Sequence, residues 1–228
     1  MTFRNNRRQM VQPPLTDVEV RILGSLLEKE VTTPDNYPLS LNALLAACNQ
    51  TTSREPIMRL DEDTVVPATV ALRRRGLLRQ IQPAGSRVTK YEHLLREEME
   101  LGRRELAVLG VLMLRGPQTP GELYARTARL EPFADLADLE GVLESLIARE
   151  PEPLAARLPR RAGQKEVRFA HLLSGEPADT TADDPPAPTR RSAAEDDRLA
   201  ALERTVEELR AEVAELRAQL ESFRAQFQ

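Results

Sequence analysis

The 228-residue chain has no tryptophan, one cysteine and two histidines. A lone Cys48 rules out an internal disulfide and any multi-cysteine zinc site. His93 and His171 supply no clustered ligand set for a metal and no base paired with a nucleophile. Aromatic residues reach only 4%, and the longest apolar run, Leu106 to Leu114, falls far short of the ~20 residues a membrane span needs. The opening MTFRNNRRQM is basic but lacks the apolar centre of a secretory signal. Gly-rich phosphate loops, GxSxG and HExxH are missing as well. The expectation is a cytoplasmic protein that is not an enzyme, carries no cofactor and no metal, and does not enter a membrane.

What is present is charge, at 30% of residues, distributed unevenly. Residues 1–14 carry three Arg and no acid, whereas residues 15–95 balance ten bases against ten acids. Residues 176–228 hold seven Arg and thirteen acids, so the overall −4 belongs to the carboxy-terminal tail. A near-neutral body is not the strongly basic surface of a non-specific nucleic-acid binder.

A pattern then occurs twice. Thr16 followed by Glu19 reads as a capping box, with Leu15 stapling onto Val20, and Leu15, Ile22, Leu23, Leu26 and Leu27 recur at helical spacing. A second helix follows Ser40 with Leu41, Leu44, Leu45 and Cys48 on one face. A third spans about 63–75 and stops at Gly76, and two β-leaning stretches then flank Pro83-Ala84-Gly85-Ser86 as a hairpin. The second copy has LGRRELAVLGVLMLRG closed by Gly116, then a helix capped by Thr119 with Pro120 and Glu122 behind it. A third helix, ADLADLEGVLESLIARE, precedes a hairpin turning near Ala162-Gly163-Gln164. The copies end alike, in YEHLL and FAHLL.

This order predicts a mainly α chain with small β-wings: two tandem winged helix-turn-helix domains plus a C-terminal coiled-coil helix, with one small core in each unit. The boundaries are an N-terminal arm at 1–14, winged-helix domains at 15–97 and 98–173, a disordered linker at 174–197 and a coiled-coil helix at 198–228. Along that last helix Leu199, Leu202, Val206, Leu209, Val213, Leu216, Leu220, Phe223 and Phe227 keep an unbroken 3,4 spacing. Valine at a with leucine at d favours a parallel dimer, as does Glu212 at g facing Arg217 at e. A homodimer through residues 199–227 is expected.

In a winged helix the third helix enters the major groove and the wing touches the backbone. Candidate phosphate contacts are Arg73, Arg74, Arg75, Arg79, Arg87 and Lys90 in the first unit, and Arg160, Arg161 and Lys165 in the second. Both third helices nevertheless open on acids, Asp61-Glu62-Asp63 and Asp135, Asp138, Glu140, which suit helix capping and repel phosphate. Cys48 on an apolar face reads as a small buried hydrophobe, and the histidines, placed alike in both copies, read as structural. The polar run Asn49, Gln50, Thr51, Thr52, Ser53, Arg54 and Glu55 has two readings, a turn and cap or a partner surface. The connection from Asn49 to Leu60 is also longer than the three or four residues usual in a DNA-reading helix-turn-helix.

The strings EKEVTTPDNYPLSLNALLAACNQTTSREP, SRVTKYEH, LMLRGPQTPGELYAR and FAHLLSGE together resemble the YceH-like family of uncharacterised bacterial proteins, over about residues 15–176. The resemblance implies tandem winged helices and carries no activity, ligand or catalytic residue. Two functions follow as expectations: a transcription-regulator-like protein that binds double-stranded DNA, or a scaffold whose winged helices dock another protein.

Overall fold

Folding of the first helix, α1 (Asp17–Thr32), is set by its cap. Thr16 Oγ1 accepts from Glu19 N at 3.2 Å while Glu19 Oε2 accepts from Thr16 N at 2.8 Å, so two otherwise unpaired donors are satisfied reciprocally. The computed structural model describes residues 13–83, 85, 88–160 and 166–176. The amino-terminal arm up to residue 12, Arg87, Arg161, Lys165, and everything from residue 177, including the expected linker and the Leu199–Phe227 seam, lie outside the described residues.

After α1 come a 3-10 turn (Pro34–Asn36), β1 (Leu39–Ser40), α2 (Leu41–Cys48), α3 (Glu62–Arg74), β2 (Leu78–Ile81) and β3 (Lys90–His93). A short α4 (Leu95–Met99) leads to α5 (Arg103–Arg115), α6 (Pro120–Thr127), α7 (Leu136–Ile147), β4 (Ala155–Arg157) and β5 (Phe169–His171). The chain is therefore mainly helical with a few short antiparallel strands, and the succession of elements repeats. The first sheet has the order β1-β3-β2, with Tyr91 opposite both Leu39 and Gln80. In the second, β4 pairs β5, and Gln118 bridges Phe169 where the first copy has a strand.

That bridge gives the stretch before α2 a counterpart in the second copy. Leu39 and Ser40 correspond to Gln118 and Thr119: both pairs lead from a strand contact into a cap, Ser40 Oγ accepting from Ala43 N at 3.3 Å and Thr119 Oγ1 from Glu122 N at 3.2 Å. The true addition is the 3-10 turn and Tyr37, whose hydroxyl accepts from His93 N at 2.9 Å and so ties the turn to β3.

The two copies do not have one small core each. Ten consecutive residues of α1, from Glu19 to Glu28, are buried, as are nine of α5, from Leu106 to Leu114. A helix buried on all sides must be central, and here α1 and α5 lie against each other inside one continuous core. Glycine makes the close approach possible. A Cβ on Gly110 would meet Leu27 Cδ2 at 2.8 Å, and one on Gly24 would meet Leu114 at 3.0 Å. Leu23-Gly24 and Leu109-Gly110 hold matching places in the two copies, so the contact is reciprocal. Leu15 N donating to Leu173 O at 2.9 Å fastens the start of the first copy to the end of the second.

Candidate nucleic-acid interface

α3 is capped by Asp61, whose Oδ1 accepts from Thr64 N at 2.9 Å and from the Thr64 hydroxyl. Those bonds hold the Asp61 carboxyl below its ordinary range. Val65, Thr69 and Leu72 face the core, and Gly76 at φ 73° turns the chain out of the helix. The outward face begins with Asp61, Glu62 and Asp63, passes Val66 and Pro67, and ends with Arg73 and Arg74.

The β2–β3 hairpin lies against the basic end of that face. Arg73 Nη1 donates to Gln80 Oε1 at 2.7 Å, and Arg79, with 60% of its side chain exposed, pairs with Glu92 across the hairpin. Together with Thr89, Gln82 and Gln80, Arg73 and Arg79 line an open cleft of about 390 Å³ between helix end and hairpin. Arg74 is exposed and Lys90 half-buried beside it in β3. Arg75 departs from the expectation. Its guanidinium turns back to Glu19 at 3.6 Å and to Pro13 O, with only 14% of the side chain exposed, because the α1 capping carboxylate lies within reach. It is an internal ion pair and no phosphate contact.

In the second copy the acids of α7 are used internally. Asp138 accepts from Arg104 Nη1 at 2.8 Å, and Glu144 pairs with Arg157 of β4. The same arginines lie over Phe133 and Phe169, at 5.6 and 5.5 Å from the ring centres. Leu136, Glu140 and Gly141 remain on the outer face, with no basic residue among them. Arg160 is exposed at the rim of its hairpin.

The polar run after α2 is mostly architecture. Arg54 is buried, with 0% of its side chain exposed, so it is no partner surface. Its guanidinium donates to Ala47 O from Nε (3.1 Å) and Nη2 (2.9 Å), to Ser53 O at 2.9 Å, to Gln50 Oε1 at 2.9 Å and to Glu28 Oε2 at 2.6 Å. Arg21, likewise buried, donates to Cys48 O at 3.2 Å and Pro56 O at 2.6 Å. Two cations thus satisfy carbonyls at the negative end of α2, where the helix leaves them unpaired. Asn49 closes the loop, donating to Leu60 O and accepting from Leu60 N, both at 2.7 Å. Glu55 N donates to Leu114 O at 2.8 Å and Arg115 Nη2 to Ser53 Oγ at 2.8 Å, so the loop also clasps the second copy. Only Thr51, Thr52 and Glu55 of the run are exposed.

The histidines share a position but not an environment. His93 Nε2 lies 3.1 Å from Glu30 Oε2, and its Nδ1 accepts from Leu95 N at 3.3 Å. The imidazole contact, against the cost of partial burial, holds the Glu30 carboxyl below its ordinary value. His171 is half-buried with its buried Nδ1 unpartnered, and loss of hydration takes it down to about 4, the Asp17 charge opposing only in part. Burial also pushes the Cys48 thiol up to about 11, far from a reactive thiolate. Among the described residues no three His, Cys, Asp or Glu side chains converge as a metal site, and no helix is long and apolar enough to cross a membrane.

Sequence reasoning missed the Glu28–Arg54–Arg129 network, in which Arg129 from beyond α6 takes the second Glu28 oxygen. The signal was there: Arg21 and Glu28, seven apart, interrupt the apolar stripe of α1 on one face.

Comparison with known proteins gives a uniform answer. A UPF0502 protein of Opitutus terrae is 50% identical over 198 residues, covering 87% of this chain and 84% of its own. One from Geobacter sulfurreducens is 51% identical over 199 residues, with 86% and 90% covered, and one from Geotalea uraniireducens 52% over 200 residues, with the same shares. The model of DUF480, described as a protein family of unknown function, matches residues 15–164. The YceH-like resemblance agrees with these matches, and the chain belongs to the DUF480 family of uncharacterised bacterial proteins.

Proposed function

We propose that the chain is a winged-helix, transcription-regulator-like DNA-binding protein. In this reading each copy is a winged helix, the protein is not an enzyme, and in the cytoplasm it dimerises through its carboxy-terminal helix. The observation that carries the reading is that Arg73 and Arg79 line one cleft between the end of α3 and the hairpin, with exposed Arg74 next in α3 and half-buried Lys90 in β3. These groups supply phosphate contacts. The acids at the start of α3 keep that end out of the major groove, so the duplex is gripped by helix end and wing and little base sequence is read. The second copy, with its acids paired internally, acts as a support.

The test is fluorescence anisotropy of the full chain against a random duplex over a salt series. Four phosphate contacts give a log–log salt slope of about −3.6, and Arg73→Ala with Arg74→Ala flattens it by about 1.8. No binding at low salt, or a slope unchanged in the double variant, removes the proposal. Deletion of residues 198–228 converts dimer to monomer in light scattering, and an unchanged mass removes the stalk from the reading.

One observation favours protein docking as a second reading. Ile57 and Val66 are 57% and 37% exposed, and carboxylates open the same helix. A scaffold using that face retains a specific partner from cell extract and loses it with Val66→Asp, while binding no duplex.

A further inference from the structure

A second cleft, with a separate set of lining residues, lies where the copies meet. A cleft of about 310 Å³ is walled by Glu28 and Ser53 from the first copy and by Arg115, Arg126 and Arg129 from the second. That size is at the small end of ligand pockets, about 300–1,000 Å³. Three guanidinium groups against one carboxylate leave the lining with a net charge of +2. The carboxylate is moreover spent: one Glu28 oxygen is held by buried Arg54 and the other by Arg129. Arg126 has Glu122 at 3.5 Å, a half-exposed pair on its own helix, and Arg115 donates to the Ser53 hydroxyl. Burial first, then the neighbouring Arg126 and Arg129 cations, hold the Arg115 guanidinium below its ordinary value. Cations gathered this closely in a partly buried space repel one another, and the space between them is large enough for a counter-charge.

We infer that this cleft binds a small phosphomonoester dianion, held by Arg115 and Arg126 with the Ser53 hydroxyl beside them. A dianion matches the net +2 of the lining. Guanidinium forks on α5 and at the end of α6 approach a tetrahedral group with three terminal oxygens better than a planar carboxylate with two. The cleft has room for the phosphate and its organic substituent. Because its walls come from both copies, the bound phosphate adds to the clasp made by the loop after α2. The inference is independent of whether duplex DNA is bound elsewhere.

The experiment is isothermal titration calorimetry of the full chain with glycerol 2-phosphate, inorganic phosphate and malonate at constant ionic strength. The expected result is saturable binding of glycerol 2-phosphate, tighter than malonate, and weakened by at least about tenfold in Arg115→Gln and in Arg126→Gln. Arg104→Gln, a variant on α5 outside the cleft, binds as the parent does. Each variant's melting curve without ligand establishes that it is folded, and Arg126→Lys, which keeps a charge, retains part of the affinity if the parent variant loses stability. Absence of saturable heat at about 10 mM overturns the inference, as does an affinity unchanged from the parent in the two Gln variants. So does a malonate affinity equal to that of the phosphomonoester. If the two Gln variants weaken duplex DNA in anisotropy while glycerol 2-phosphate gives no heat, the cleft is a backbone contact and the inference falls.

Discussion

Glu28→Gln removes one negative charge from the inside of the molecule, and with it one of the two acceptor oxygens that hold arginines there. The carboxylate has 2% of its side chain exposed and faces an Arg54 guanidinium that is fully buried. Gln keeps the shape and one acceptor oxygen but turns its amide NH2, a donor, towards the second guanidinium, so the loss is that of the counter-charge and of one arginine hydrogen bond. Breaking a buried pair in this way costs about 3–5 kcal/mol, because the remaining ion cannot be hydrated. The lower end applies here, since four of the five Arg54 hydrogen bonds go to neutral oxygens that stay in place. About 3 kcal/mol corresponds to a fall in melting temperature of about 6–12 °C for a folded unit of this size.

Circular dichroism melts of the full chain at pH 7 measure it. The shift persists at high salt, since a buried pair is poorly screened. Glu144→Gln is the control: Glu144 and Arg157 are 56% and 58% exposed, and breaking such a pair costs below about 1 kcal/mol. Replacing both partners, Glu28→Leu with Arg54→Met, costs less than the two single changes together by about 1–3 kcal/mol. A Glu28→Gln melting point within about 2 °C of the parent would refute the reasoning, and the network would then be incidental to the joining of the two copies.

Two glycines give opposite signs. Gly110→Val, whose side chain is driven into Leu27, destabilises by about 1–3 kcal/mol, whereas Gly141→Ala in α7, where a Cβ meets nothing within 4 Å, stabilises by about 0.5–1 kcal/mol. Urea unfolding measures both, and a tolerated Gly110→Val removes the close-approach argument. His171 is neutral in the folded state down to about pH 4 but charges in the unfolded chain near pH 6.5. Its contribution is fully present above about pH 6.5 and is lost as pH falls towards 4, about 3 kcal/mol in all. His171→Phe flattens that stretch of the stability–pH curve, and a curve of unchanged shape places the acid sensitivity elsewhere.

How far the sequence was legible depended on distance along the chain. The capping boxes at Thr16 and Thr119 were readable because donor and acceptor are three residues apart. So were the stops at Gly76 and Gly116, each at positive φ. Gly102 escaped notice as the cap of α5, having no side chain to announce it, although Glu105 plays the part that Glu19 plays in α1 and accepts from Gly102 N at 2.8 Å. Contacts between distant residues were unreadable in principle: Arg54 reaches back 26 residues and Arg129 reaches back 101 to the same carboxylate. Counting apolar residues in two repeats predicts two cores. Only the glycine pair, matched between repeats, hinted that the two inner helices touch.

The comparison between copies also narrows where function lies. What the copies hold in common is interior: the Leu-Gly step of the first helix, the cap before the second, the Tyr91 and Phe169 strand positions. What differs is surface and charge. The first copy leaves Arg73 and Arg74 exposed at the end of α3, whereas the second spends Asp138 and Glu144 on its own arginines. The first copy alone has the loop in which Asn49 and Leu60 close a ring and Arg54 enters the core. A duplicated fold requires its core twice but needs a given binding surface only once. The polar run, open in sequence to a turn-and-cap or a partner-surface reading, has contacts that join the copies, and a cationic cleft lies at the join.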